Sequence, residues 1–102
     1  MVEFCERVMA YTAGFDLPAL LADRMRYDAT LRNLELIGEA ATHVPNELRA
    51  RAPELPWRLI TGTRNRLAHG YLGIEAETVW LIATGNVPRL RDQLIVLLAT
   101  LR

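Results

Sequence analysis

Near the middle of the chain, Arg64, Asn65, His69 and Tyr71 fall within eight residues of one another. A guanidinium matches the shape and charge of a phosphate, an imidazole titrates near neutral pH, and an amide and a phenol can orient what these two hold. That set suits phosphate chemistry. On a wheel at ~100° per residue with Arg64 at zero, Ala68 falls near ~40°, Asn65 near ~100°, His69 near ~140° and Tyr71 near ~340°. Leu59, Ile60, Thr63 and Leu67 cluster between ~220° and ~320°. The polar set is therefore expected to face away from the core and the second group to face it. Arg64 and His69 diverge by ~140°, too far for one straight helix to close both on one phosphate. Two copies of the helix related by a twofold axis would bring Arg64 of one and His69 of the other into a composite cleft. A homodimer is expected as part of any such site. The same side chains also suit an ordinary solvated helix face, and spacing alone does not choose between the two.

The surroundings favour an anion. The 12 basic residues balance the 12 acidic ones, which argues against a protein that coats nucleic acid by bulk charge. Between Leu55 and Ile74, however, there is no Asp or Glu, while Arg58, Arg64, Arg66 and His69 all lie inside that window. All the basic residues are Arg, a bias of composition that carries no functional weight here.

The elements that position these residues read as helices throughout, because no stretch alternates apolar and polar residues with the period of a strand. The fold class is all-α. A first helix is expected up to about Ala13, with Phe4, Val8 and Tyr11 on one stripe and Gly14 ending it. Asp16 caps a short turn through Leu17, Leu20 and Leu21. From about Asp23 to Val44, Tyr27, Leu31, Leu34, Ile37, Ala41 and Val44 recur at three- and four-residue spacing, the strongest helical signal in the chain. Pro45 stops it. Asn46 to Arg51 reads as one more turn, and Pro53 to Pro56 as a rigid connector ending at a helix start. The helix that bears the polar set should begin at Pro56 or Trp57 and end near Gly70. A fourth covers about Glu75 to Ala83, and a fifth begins near Asn86 and Pro88 with Leu90, Leu94, Leu97 and Leu101 on its apolar stripe. Short loops between about five helices predict an up-and-down bundle, residues 1–102 forming a single domain.

Other chemically capable residues have plainer readings. His43 sits where a positive charge favours a helix C-terminus. Glu35 and Glu39 stand four apart, a spacing of paired acids but also of a solvated face, here with Arg32 beside it. Gly38, Ala40 and Ala41 offer a small-residue patch for close helix packing and, with the polar helix, a dimer face. Trp57 and Trp80 read as core or interface aromatics, and Cys5 as a small apolar group. One cysteine and two histidines supply no metal-ligand spacing, so no metal and no cofactor is expected. The longest apolar run, Leu94 to Leu101, is far short of the ~20 residues that span a bilayer, and acidic and basic residues interrupt the start where a leader would need an apolar stretch. A cytoplasmic protein is expected.

Three segments together carry a resemblance. Leu31 to Ala41 reads LRNLELIGEAA, Pro53 to Ile60 reads PELPWRLI, and Gly62 to Ile74 reads GTRNRLAHGYLGI, with Val79-Trp80 and Pro88 to Leu90 following in order. The chain resembles the HEPN-domain proteins of the HepT type, the toxin half of the HepT and MntA toxin-antitoxin pair. The resemblance implies a metal-independent ribonuclease whose Arg-x4-His-x-Tyr motif is Arg64, His69 and Tyr71, with Asn65 supporting, in a cleft at a homodimer interface. It also implies an antitoxin partner, a minimal nucleotidyltransferase that silences the toxin by adding AMP to Tyr71. An alternative keeps the same residues but no catalysis: a nucleotide- or RNA-binding partner of that nucleotidyltransferase. A helical dimer with an accidental motif is a third reading.

Overall fold

The structure, a computed structural model, describes residues 1–68 and 75–101. Its elements in chain order are α1 (Val2–Thr12), α2 (Leu17–Ala22), α3 (Arg24–Thr42), α4 (Asn46–Ala50), α5 (Trp57–Ala68), α6 (Ala76–Leu81), a π-helical turn (Ile82–Asn86) and α7 (Val87–Ala99). Among the described residues there is no strand, so the all-α expectation holds. Nor is any described helix long and apolar enough to cross a membrane.

The 19-residue helix α3 is the spine. Its stripe of Tyr27, Leu31, Leu34, Ile37 and Ala41 is buried, as the three- and four-residue spacing predicts. Each such aliphatic side chain contributes about 1.5 to 3 kcal/mol on full burial. The spine carries α1 and α5, and α7 lies against α1. Helix starts follow the expected chemistry: the Asp16 carboxylate accepts from the Ala19 N–H at 2.9 Å, and Asp23 accepts from the Arg26 N–H at 3.1 Å. Gly14, at φ +76°, makes the left-handed turn that lets α1 end and the chain double back.

Three details of the sequence reading are corrected. In α1 the buried stripe is Cys5, Val8 and Thr12, one position round from Phe4 and Tyr11, which are half-buried. Thr12 tolerates this because its hydroxyl donates to the Val8 carbonyl at 3.0 Å. Leu101, expected in the last stripe, lies beyond the end of α7 and is 42% exposed, whereas Leu90, Leu94 and Leu97 are buried. The expected break between the last two helices is also missing. Backbone dihedrals stay helical from α6 into α7, and the Val87 N–H reaches back five residues to the Ile82 carbonyl. Pro88 reads as a helix start because it has no N–H to give. Here the wider turn precedes it and the helix runs on.

The start of α5 is fixed from several sides. The Trp57 indole donates to the Ala52 carbonyl at 3.1 Å, and Leu55 and Ala52 of the connector are buried beneath it. Arg49 caps the end of α3 by donating to the Ala41 and Val44 carbonyls at 2.6 and 3.1 Å, and its guanidinium stands 5.6 Å from the Trp57 ring. These contacts tie α4, the connector and the first turn of α5 to the C-terminal end of α3. They set the rotation of α5 on the spine.

Candidate active site

That rotation differs from the one expected. Trp57 and Leu67 are buried, Ile60 is half-buried against the core, and Arg64 shares this inward stripe with its side chain 33% exposed. Leu59, expected inside, is 59% exposed. The reason lies on the spine. A Cβ placed on Gly38 would collide with the Cβ of Arg64 and stand 3.0 Å from the Ile60 carbonyl oxygen. Without it, α5 settles close enough for the aliphatic stem of Arg64 to lie on the backbone of α3. The small-residue patch at Gly38 and Ala41 is thus used within the chain rather than left for a second copy.

With its stem buried, the guanidinium of Arg64 emerges at the edge of the α3–α5 seam. Its Nε donates to Oε2 of Glu39 at 2.8 Å, and its Nη2 lies 2.7 Å from the same oxygen. Its Nη1 donates to Oδ1 of Asn65 at 2.9 Å, and Asn65 itself is exposed. The other oxygen of Glu39 lies 3.4 Å from Nε2 of His43, the C-cap residue of α3. A surface cation, an amide and a carboxylate therefore form one chain across the seam. Glu35, by contrast, pairs with Arg32 at 3.4 Å, as a solvated face would.

Glu39 is the residue that spacing undervalued. It is no mere member of a solvated face, because it supplies a counter-charge to a window that has no acid of its own. The signal was present: Glu39 follows the glycine that sets the helix contact, and a partly buried Arg64 in an acid-free segment needs an anion from elsewhere. His69 and Tyr71 lie outside the described residues. Of the expected set, Arg64 and Asn65 are brought together.

The opposite flank of α5 is open. Leu59, Thr63 and Arg66 there line a groove of about 470 Å³ that is closed on its far side by Ile82, Asn86 and Leu90. Among the described residues, no group of three or more His, Cys, Asp or Glu side chains gathers as metal ligands would. Cys5 is fully buried, and loss of hydration pushes its thiol up to about 11 from 9.0.

Residues 1–97 match the family described as ribonuclease HepT-like. Among curated proteins, one of Methanocaldococcus jannaschii, provisionally named an RNase, is 32% identical over 93 residues, 91% of this chain and 85% of that protein. One of Thermococcus cleftensis, provisionally named ribonuclease HepT, is 31% identical over 91% of this chain and 84% of its own length. One of Caldanaerobacter subterraneus, again provisionally named an RNase, is 30% identical over 91% and 83%. No solved structure matches the chain at comparable strength.

Proposed function

This chain belongs to the HepT-like ribonuclease family, and on that premise we propose that it is an endoribonuclease toxin that cuts RNA without a metal. The observation that carries the reading is the guanidinium of Arg64, held at the surface by Glu39 and Asn65 five residues before His69 on the same stretch of chain. The ribose 2'-oxygen attacks the adjacent phosphorus and the bond from phosphorus to the 5'-oxygen breaks, leaving a 2',3'-cyclic phosphate and a 5'-hydroxyl. His69 serves the proton transfer, since an unperturbed imidazole titrates near ~6.5. Arg64 stabilises charge on the phosphoryl oxygens, where one such donor contributes ~2.7 to 4 kcal/mol. Asn65 holds Arg64 on one side, or a phosphate oxygen once RNA is bound.

The cleft is shared between two copies. Five positions at ~100° per residue amount to ~140°, so on a straight helix Arg64 and His69 would diverge and a second protomer would complete the set. A minimal nucleotidyltransferase of the MntA type silences the toxin: the Tyr71 phenol attacks the α-phosphorus of ATP, takes up AMP, and pyrophosphate leaves. The phosphate so attached then competes with the RNA backbone for Arg64.

The test is cleavage of a single-stranded RNA in EDTA by the wild type and by His69→Ala. Cutting by the wild type alone, with a substrate carrying a 2'-deoxyribose at the scissile position left intact, is the expected result. Activity that disappears with chelator, or that cuts the deoxy substrate equally, overturns the mechanism. RNA that binds but is never cut favours the binding-partner alternative.

A further inference from the structure

We propose that Glu39 is a positioning residue for Arg64, fixing which edge of the guanidinium meets the scissile phosphate; the inference rests on the ribonuclease reading of this site. Glu39 approaches through the edge made by Nε and Nη2, at 2.8 and 2.7 Å. The edge made by Nη1 and Nη2 is then the one turned to the substrate, with Asn65 bracing its Nη1 corner at 2.9 Å. A phosphate oxygen meets that end-on edge with the side-on edge already taken.

Three observations favour positioning over a role in stability. The two side chains are 33% and 43% exposed, and pairs this open to water add little to folding free energy. The carboxylate comes from α3, 25 residues earlier, so it connects the acid-free segment to the spine of the fold instead of to a neighbour on its own helix. Gly38 brings the two backbones together at the adjoining position, which puts the short reach of a glutamate within range of Nε. A long, flexible arginine is thereby held in one orientation before RNA arrives, which is what charge stabilisation in a transition state requires.

The experiment compares wild type, Glu39→Gln, Glu39→Asp and Arg64→Ala in the full chain, using a fluorescent single-stranded RNA. Glu39→Gln should lower kcat about tenfold to a hundredfold while KM stays within about twofold. Its melting temperature should stay within about 2 °C of wild type. In arginine-labelled protein, the Nε–H resonance of Arg64 should lose its protection from exchange. Glu39→Asp, which keeps the charge but is shorter by one methylene, should fall between. A Glu39→Gln variant with kcat at or above wild type overturns the inference and shows the carboxylate competing with the phosphate. Equal loss of melting temperature and activity overturns it in favour of a structural role. If wild type and Arg64→Ala cut RNA equally, or neither cuts, the ribonuclease reading itself fails and takes this inference with it.

Discussion

Gly38 on α3 and Arg64 on α5 meet backbone to stem, with no room between them for a methyl group. Alanine in place of glycine normally helps a helix by about 1 kcal/mol. Here the added Cβ meets the first carbon of the arginine side chain, which cannot swing aside as a flexible end would. Overpacking of this kind costs about 1 to 3 kcal/mol. Gly38→Ala should lower the melting temperature by about 5 to 15 °C in a thermal scan. It should also reduce RNA cleavage more than Glu39→Gln does. An unchanged melting temperature would show that the helices can part at no cost.

The dimer is expected to form where α3 and α5 present Glu39, Arg64 and Asn65, since a composite cleft needs Arg64 at the interface, while Gly38 and Ala41 are taken up inside the chain. Light scattering at micromolar concentration should give a dimer for the wild type, and the cleavage rate per protomer should fall on dilution to concentrations where the dimer dissociates. A monomeric wild type that cuts RNA at full rate would dismiss the composite cleft.

Tyr71 is expected to be the switch. Tyr71→Phe should keep most of the nuclease activity, because the phenol has no part in the proton transfer, yet escape silencing by the nucleotidyltransferase with ATP. Intact-mass measurement of the pair after incubation should show adducts spaced by one AMP on the wild type and none on the variant. Modification and silencing of the Phe variant would place the switch elsewhere.

Burial raises the Cys5 thiol to about 11 from 9.0, so the folded state favours the neutral form more than the unfolded state does. The resulting stability is complete below about pH 9 and is lost as pH rises toward 11. About 2 to 3 kcal/mol is at stake across that window, at ~1.4 kcal/mol for each pH unit. Urea titrations should show the wild-type midpoint falling from pH 9 to 11 and a Cys5→Ala midpoint falling less. In the native protein at pH 8 the thiol should resist alkylation that proceeds readily in denaturant.

The spine was legible because its apolar residues repeat at helical spacing whatever they pack against, and Tyr27 through Ala41 are buried as that spacing requires. The facing of α5 was not legible. Its wheel alone puts Leu59 inside and Arg64 outside, and both are reversed by a glycine on another helix, which a wheel does not see. For the site, the sequence pointed to Arg64 and Asn65 by type and spacing. It passed over Glu39, because an acid on α3 acquires meaning only when the two helices are brought together. Pro88 misled in the same way: its missing N–H is a local fact, while the five-residue hydrogen bond before it is decided over a whole turn.

That wide turn also keeps time along the last rod. Val79, Ala83 and Val87 are all buried, yet they succeed one another at intervals of four, and each such step creeps ~40° around an ordinary α-helix. The slower winding from Ile82 to Asn86 takes back part of that drift, so the buried line stays in phase until Leu90 and Leu94 resume it. Thr84, Gly85 and Asn86 are exposed on this turn, and the Thr84 hydroxyl donates to the Trp80 carbonyl at 2.7 Å. Losing one of them would let the segment close as ordinary α-helix, four residues at ~100° turning nearly as far as the five of the wide turn, so the leucines of α7 would keep close to their facing toward α1. The segment thus carries one residue more than an α-helical turn while the two halves of the rod stay in register.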